Sequence, residues 1–197
     1  MSLQTRAVAI LTKPADEWRT IASEPATVEG LMRGYAGPLA AIPAIAQFIG
    51  FSLIGITVPV FGGAIRIGIV QSFASAVVAW VFALVGAWIA ALMIEKLAPT
   101  FRSSGNTAQV LKLVVYSMTP VWVAGVLYLV PALGALVIIA ALYAVYLFYL
   151  GLPPVMSTPS DKVIPYMVVS ALVIIVVSFL LGTVTTAIFG IGAYRTF

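Results

Sequence analysis

The sequence predicts an all-α polytopic membrane protein, with five transmembrane helices preceded by a short N-terminal amphipathic helix lying in the interface. Three observations predict it. The 197 residues are 62% hydrophobic and 8% charged, with a mean hydropathy of +1.15, whereas a soluble domain carries about 25% charged residues. The charged side chains gather outside long apolar runs, and those runs reach the roughly 18–20 residues that cross a hydrocarbon core of about 30 Å. The basic residues also fall mainly on one side of the spans so delimited, as the positive-inside rule describes.

Residues 1–33 read as an N-terminal segment and 34–197 as the membrane domain, with spans at about 35–56, 67–94, 111–130, 132–150 and 164–190. The run Ala7 to Leu11 is too brief for a secretory signal, so no cleaved peptide is expected. Pro14 followed by Asp16 and Glu17 is a helix-start signature, because proline suits the first helical position and the acids complement the helix dipole. Trp18 and Ile21 share one face of that helix, with Arg19 and Glu24 away from it. The expectation is an interfacial helix anchored by Trp18.

The first span carries Pro38 and Pro43, which predict an irregular entry, and Gln47, which at membrane depth is expected to bond to a neighbouring helix. A short loop with proline and glycine, Thr57 to Arg66, leads to the second span. Along that span Ser75, Ala79, Ala83, Ala87 and Ala91 recur every four residues, the small-residue stripe of a close helix contact. The polar connection Glu95 to Gln109 ends in Asn106 and Gln109, spaced as a capping box.

The third and fourth spans read as a transmembrane hairpin with a tight break at Pro131, bounded by Lys112 and by a break at Gly151-Leu152-Pro153-Pro154. Within the third, Tyr116-Ser117-Met118-Thr119-Pro120 predicts a kink. Proline frees the carbonyl of Tyr116, and Ser117 and Thr119 are placed to satisfy the freed backbone groups. A gated hinge is the functional alternative. Tyr143, Tyr146 and Tyr149 read as an aromatic belt. Thr158, Pro159 and Asp161 read as cap, first helical position and acid of the last helix. On that last span Ser178, Gly182, Thr186 and Gly190 form a second small-residue stripe.

Arg6, Lys13, Arg19, Arg33, Lys96, Arg102, Lys112 and Lys162 fall on one side, and only Arg66 and Arg195 on the other. This predicts a cytoplasmic N-terminus and a C-terminus outside. Glu95, Lys96, Arg102, Lys112, Asp161 and Lys162, with Trp18, are therefore candidate cytoplasmic-face contacts, either for topological anchoring and lipid headgroups or for a partner.

Catalytic chemistry has little to work with. The chain has no cysteine and no histidine, which removes disulfides, thiolate metal sites, the Ser-His triad and the commonest metal ligand. Its only aspartates, Asp16 and Asp161, lie outside the spans. A Ser-Lys pair of Ser103 or Ser104 with Lys112 is the one nucleophilic arrangement left, and loop serines beside an interfacial lysine read as loop residues. No catalytic residue, cofactor or metal is expected. The basic residues sit at span ends without interleaved aromatics, so no nucleic-acid partner is expected either.

Pro14, Trp18, Ile21 and Glu24, then Tyr35-Ala36-Gly37-Pro38-Leu39, Tyr116-Ser117-Met118-Thr119-Pro120, and Tyr143 through Gly151 with Asp161-Lys162, together resemble the bacterial branch of the Yip (Ypt/Rab-interacting protein) family. The resemblance implies five spans, a cytoplasmic N-terminus and a bacterial inner-membrane location. Eukaryotic members associate with Rab GTPases and have much longer N-terminal regions, and Tyr35 to Leu39 matches their Asp-Leu-Tyr-Gly-Pro pattern only in part, so a Rab-type partner is not expected. The sequence thus points to a non-enzymatic scaffold or interaction protein in the lipid bilayer, associating with itself or with a membrane complex. The alternative is a passive channel or transporter for a small solute or lipid, with Gln47 and the Pro120 kink near its path.

Overall fold

The computed structural model describes residues 2–58 and 63–193, with 56–58, 63–65 and 190–193 given by their backbone alone. Arg195 lies outside the described residues. Two short helices, α1 (Leu3–Thr12) and α2 (Pro14–Ser23), precede five helices long and apolar enough to cross a membrane: span 1 Val28–Ile54, span 2 Ile69–Phe101, span 3 Thr107–Leu129, span 4 Pro131–Met156 and span 5 Ser160–Phe189. Span 3 is the axis of the bundle: 67% of its apolar window is buried in the protein, against 11% for span 5.

Ser2 starts α1 by accepting a hydrogen bond from the Thr5 amide at 3.2 Å, and Pro14 opens α2 with Asp16 and Glu17 in its first turn. Span 1 begins at Thr27, whose hydroxyl accepts from the Gly30 amide at 3.0 Å. It passes through a π-helical turn at Met32–Ala36, closed by the Gly37 amide donating to the Met32 carbonyl just before Pro38, which has no N–H to give. A second π turn, Gly50–Ile54, ends at Gly55, which holds φ 87°. The backbone then forms an antiparallel ribbon of β1 (Ile56–Val58) and β2 (Gly63–Ile65), pairing Ile56 with Ile65 and Val58 with Gly63.

Span 2 is α-helical over Ile69–Leu97 and closes in a 3-10 turn that Arg102 stops with φ 53°. Its Trp80 indole donates to the Gly37 carbonyl at 2.9 Å, tying it to span 1. The capping box that starts span 3 is complete: the Gln109 amide donates to Asn106 Oδ1 at 3.0 Å and the Asn106 amide to Gln109 Oε1 at 2.9 Å. The helix breaks at Met118. Thr119 donates to the Tyr116 carbonyl at 2.7 Å, supplying the bond that Pro120 denies it. Ser117, expected to share that task, has a buried hydroxyl without a hydrogen-bond partner.

The turn between spans 3 and 4 is broader than the tight break expected. It consists of 3-10 segments Gly125–Leu129 and Pro131–Leu136, joined by an extended Val130, the backbone that a residue before proline favours. The break expected at Gly151 to Pro154 is absent, and span 4 stays helical to Met156. Proline's fixed φ is itself helical, and Pro153 and Pro154 are exposed, so the carbonyls they leave unpaired can turn to water. Ser157, at φ 50°, ends the helix. Thr158 is expected to cap span 5, but the helix begins at Ser160, and the buried Thr158 hydroxyl accepts from Ser103 at 2.8 Å. Span 5 is fastened to span 2 by the Tyr166 hydroxyl, which donates to the Ile94 carbonyl at 2.8 Å.

Spans 1 and 3 approach through two glycines. A Cβ on Gly50 would stand 2.2 Å from the Tyr128 carbonyl oxygen, and one on Gly125 would stand 2.5 Å from Pro43 Cβ. At Gly182 the same atom would meet nothing within 4 Å. Gly50→Ala is therefore expected to destabilise the bundle by about 1–3 kcal/mol through overpacking, while Gly182→Ala leaves the melting temperature in detergent unchanged or slightly raised. Equal melting shifts for the two variants would contradict the packing described.

Candidate functional site

The residues with the most unusual surroundings lie where α1 and α2 fold back onto one end of the bundle. Arg6 and Ile10 sit one helical turn apart on α1; Glu17, Ile21 and Glu24 follow a helical spacing along α2 and its end. Ile10, Trp18 and Ile21 are buried in the same core as residues of spans 3 and 4. That packing carries the charged residues of the same faces inward. Arg6 is 6% exposed, and its Nη1 donates to Glu17 at 2.5 Å while its Nη2 donates to both oxygens of Glu24 at 2.6 Å. Its guanidinium also lies 5.9 Å from the centroid of the Tyr116 ring, within cation–π range. Burial works against the Arg6 charge, but the hydrogen bond and charge of Glu24, with the charge of Glu17, outweigh it and hold the pKa above the ordinary arginine value.

Lys112 completes the cluster from span 3. It is 4% exposed, and its ammonium donates to the carbonyls of Ile21 at 2.7 Å and Glu24 at 2.6 Å. These are carbonyls at the C-terminal end of α2, where helical partners run out and the helix dipole is negative. Two cations and two carboxylates leave the cluster neutral. Beneath it Tyr35 and Tyr116 pack at 4.5 Å between centroids, and the Tyr35 hydroxyl lies 2.8 Å from Thr119 Oγ1. Because Thr119 gives its own proton to the Tyr116 carbonyl, Tyr35 must be the donor. The charged cap is thereby linked to the kink of span 3.

Trp18 requires a correction. It is fully buried, edge-on to Tyr116 at 6.3 Å, with its ring against Gly151, where a Cβ would stand 2.8 Å from the indole. Its anchorage is protein, not the membrane interface. The indole N–H has no hydrogen-bond partner, a cost of about 1–3 kcal/mol that the packing of the ring offsets. Lys112 likewise fastens the cap rather than meeting headgroups. Tyr143, expected in the aromatic belt, donates to the Leu11 carbonyl at 2.9 Å and holds the end of α1, while Tyr146 and Tyr149 stay exposed.

The other candidate contacts do not converge on one site. Glu95 accepts from Thr107 at 2.6 Å, and Arg102 pairs with Asp161 across the exposed junction of two connections. Lys96 and Lys162 enter no ion pair among the described residues. Ser103 bonds to Thr158 and Lys112 to backbone, so the Ser-Lys arrangement does not form.

The two small-residue stripes come together, though not as packed faces. Ala79, Ala83 and Ala87 of span 2 and Ser178, Gly182 and Thr186 of span 5 line one cavity of about 420 Å³, with Gln47 on its wall. Ser75 and Ala91 fall outside that lining, and Gly190 is described by its backbone alone. The close contact between the two helices runs instead through Gly86, where a Cβ would stand 3.0 Å from Leu181 Cδ1. The Gln47 amide, expected to bond across helices, makes no side-chain hydrogen bond among the described residues, and it faces this cavity.

Sequence reasoning passed over Arg6, Glu17 and Tyr35 as site residues and placed Glu24 away from the buried face. The signal was present: Arg6 with Ile10, and Glu17 with Ile21, are charges in helical register with the apolar residues that bury.

Fold and site together define a polytopic α-helical membrane protein whose N-terminal helices are clamped onto one end of the bundle by buried charges. The family model described as the Yip1 domain matches residues 8–182, and the chain belongs to that family. Searches of curated proteins and of solved structures return no match.

Removing the clamp should release the cap without unfolding the spans. Arg6→Met leaves Glu17 buried without its cation and the half-exposed Glu24 unpaired, and breaking a buried pair costs about 3–5 kcal/mol. Amide exchange over residues 3–23, measured in nanodiscs, is expected to accelerate by at least a hundredfold. Arg33→Ala, which removes an exposed pair with Glu29, should cost under about 1 kcal/mol. Unchanged protection of α1 and α2 in Arg6→Met would remove the clamp from the account of the fold.

Proposed function

We propose that the protein is a non-enzymatic scaffold of the bacterial inner membrane, which associates with itself or with a membrane protein complex through the capped end of its bundle. The observation that carries this reading is the commitment of the clamp charges, of which Arg6, Glu17 and Lys112 are buried. Arg6, Glu17, Glu24 and Lys112 are spent on holding α1 and α2 rigid, and a rigid cap can present the same surface to a partner without ordering cost. Its outer face is charged and exposed, with Lys13, Asp16 and Arg19, and Lys96 and the Arg102–Asp161 pair are exposed at the end of the bundle from which it projects. The distribution of basic residues supports a cytoplasmic position for that end, with the C-terminus on the opposite side.

The test is purification from the native membrane in a gentle detergent, with mass spectrometry of what co-elutes and the mass of the intact particle. A stoichiometric partner or a defined homo-oligomer is expected. The double variant Lys13→Glu with Arg19→Glu should reduce that association about tenfold while leaving the melting temperature unchanged; association that survives both reversals would move the interface away from the cap. In proteoliposomes no solute flux above that of empty vesicles is expected. A saturable flux would replace the scaffold by the passive channel or transporter.

A further inference from the structure

Span 5 closes against span 2 through Gly86 and against span 4, yet it stands off from span 3. Two cavities occupy the gap. The first, of about 420 Å³, lies among spans 1, 2, 3 and 5, and the second, of about 400 Å³, among spans 3, 4 and 5. They share Val114 and Met118 of span 3 and Ile174 and Ser178 of span 5 among their lining residues, so they adjoin as two lobes of that gap.

The lobes differ in chemistry and in depth. The first holds Gln47, Thr185 and Thr186, and Gln47 stands seven residues before the end of span 1, about 10 Å at 1.5 Å per residue. That places it within the span nearer the end away from the cap, with a side-chain amide that makes no hydrogen bond among the described residues. The second lobe reaches towards the capped end between Phe148 and Met167, and apart from two serines its walls are apolar. One of these is Ser117, 3% exposed and without a hydrogen-bond partner. A crevice inside a bilayer, polar near one boundary and apolar from there to mid-depth, matches the profile of a single acyl chain. An ester carbonyl can accept from Gln47 while methylenes fill the inner lobe, so the amide is satisfied where no water is at hand.

We propose that this crevice binds one acyl chain of a bilayer phospholipid, entering from the leaflet opposite the cap, with its carbonyl at Gln47 and its tail between spans 3, 4 and 5. The site is independent of any partner of the cap.

The test uses the full-length protein in vesicles of phosphatidylcholine carrying a diazirine near the methyl end of one chain, with photolysis and peptide mass spectrometry. Adducts are expected on the buried crevice residues Val114 and Ser117 as well as on the lipid-exposed Leu172 and Phe179. Ala83→Phe, which fills the outer lobe, should reduce the crevice adducts at least fivefold and leave the exposed ones unchanged. Gln47→Leu, which removes the polar handle with little change in volume, should reduce them severalfold, and it decides the matter where Ala83→Phe does not fold. Ser117→Ala makes the inner lobe more apolar, so adducts at Val114 should persist or increase. Adducts confined to exposed residues, or indifference to Gln47→Leu, would overturn the proposal. Loss of Val114 adducts in Ser117→Ala would overturn it too, because a hydrocarbon tail gains nothing from that hydroxyl.

Discussion

A primary ammonium buried in an apolar bundle must find oxygen, and the need of Lys112 for it sets the geometry of one whole end of the protein. Its two partners are main-chain carbonyls at the end of α2, groups that a helix terminus leaves open in any case. The lysine and the terminus therefore satisfy one another. With α2 held in this way, Glu17 and Glu24 are fixed beside span 3, and their charges in turn require Arg6 from α1. The buried charges of the series, Lys112, Glu17 and Arg6, are tolerated because each has its oxygen or ion partner, which is the condition for carrying ions into a medium of low dielectric.

The same economy of polar groups runs through the spans. Pro120 removes a donor from span 3, and Thr119 replaces it; the Tyr35 hydroxyl then uses the remaining acceptor of Thr119. Pro38 follows a π turn that has already closed its hydrogen bond. Helix contact in lipid has no help from water, so it depends on close approach. Gly50 and Gly125 provide that approach between spans 1 and 3, and Gly86 between spans 2 and 5. Span 5 lacks such a seam with span 3, and this is where the crevice opens.

Local chemistry was legible in the sequence. The five apolar runs, the capping box at Asn106 and Gln109, and the carbonyl freed by Pro120 each depend on residues within a few positions of one another. What could not be read was where distant elements meet. The face of α2 bearing Trp18 has the same pattern whether it lies on a membrane or on a protein, and only the position of Gly151, far along the chain, distinguishes the two. Arg6 and Glu24 are ordinary charges until the turn at Lys13 brings their helices together. The alanine stripe of span 2 divides for a related reason: Ala91 buries in the core while Ala79 and Ala83 line the cavity, because small residues permit a close contact but equally leave a void when the neighbour stands back. Pro153 and Pro154 misled because a proline pair near a helix end breaks the helix only if its orphaned carbonyls cannot reach water.

The contacts that hold the cap also fix a sequence of events during synthesis. Helices α1 and α2 leave the ribosome before the spans do, but their partners Lys112 and Tyr116 belong to span 3, and Tyr143 and Gly151 to span 4. Until the fourth span has been made, Trp18 and the Arg6–Glu17 pair, which end up buried, have no bundle to bury against. Cap closure is thus a late step in biogenesis, and it can occur only on a chain whose central spans have been inserted and paired.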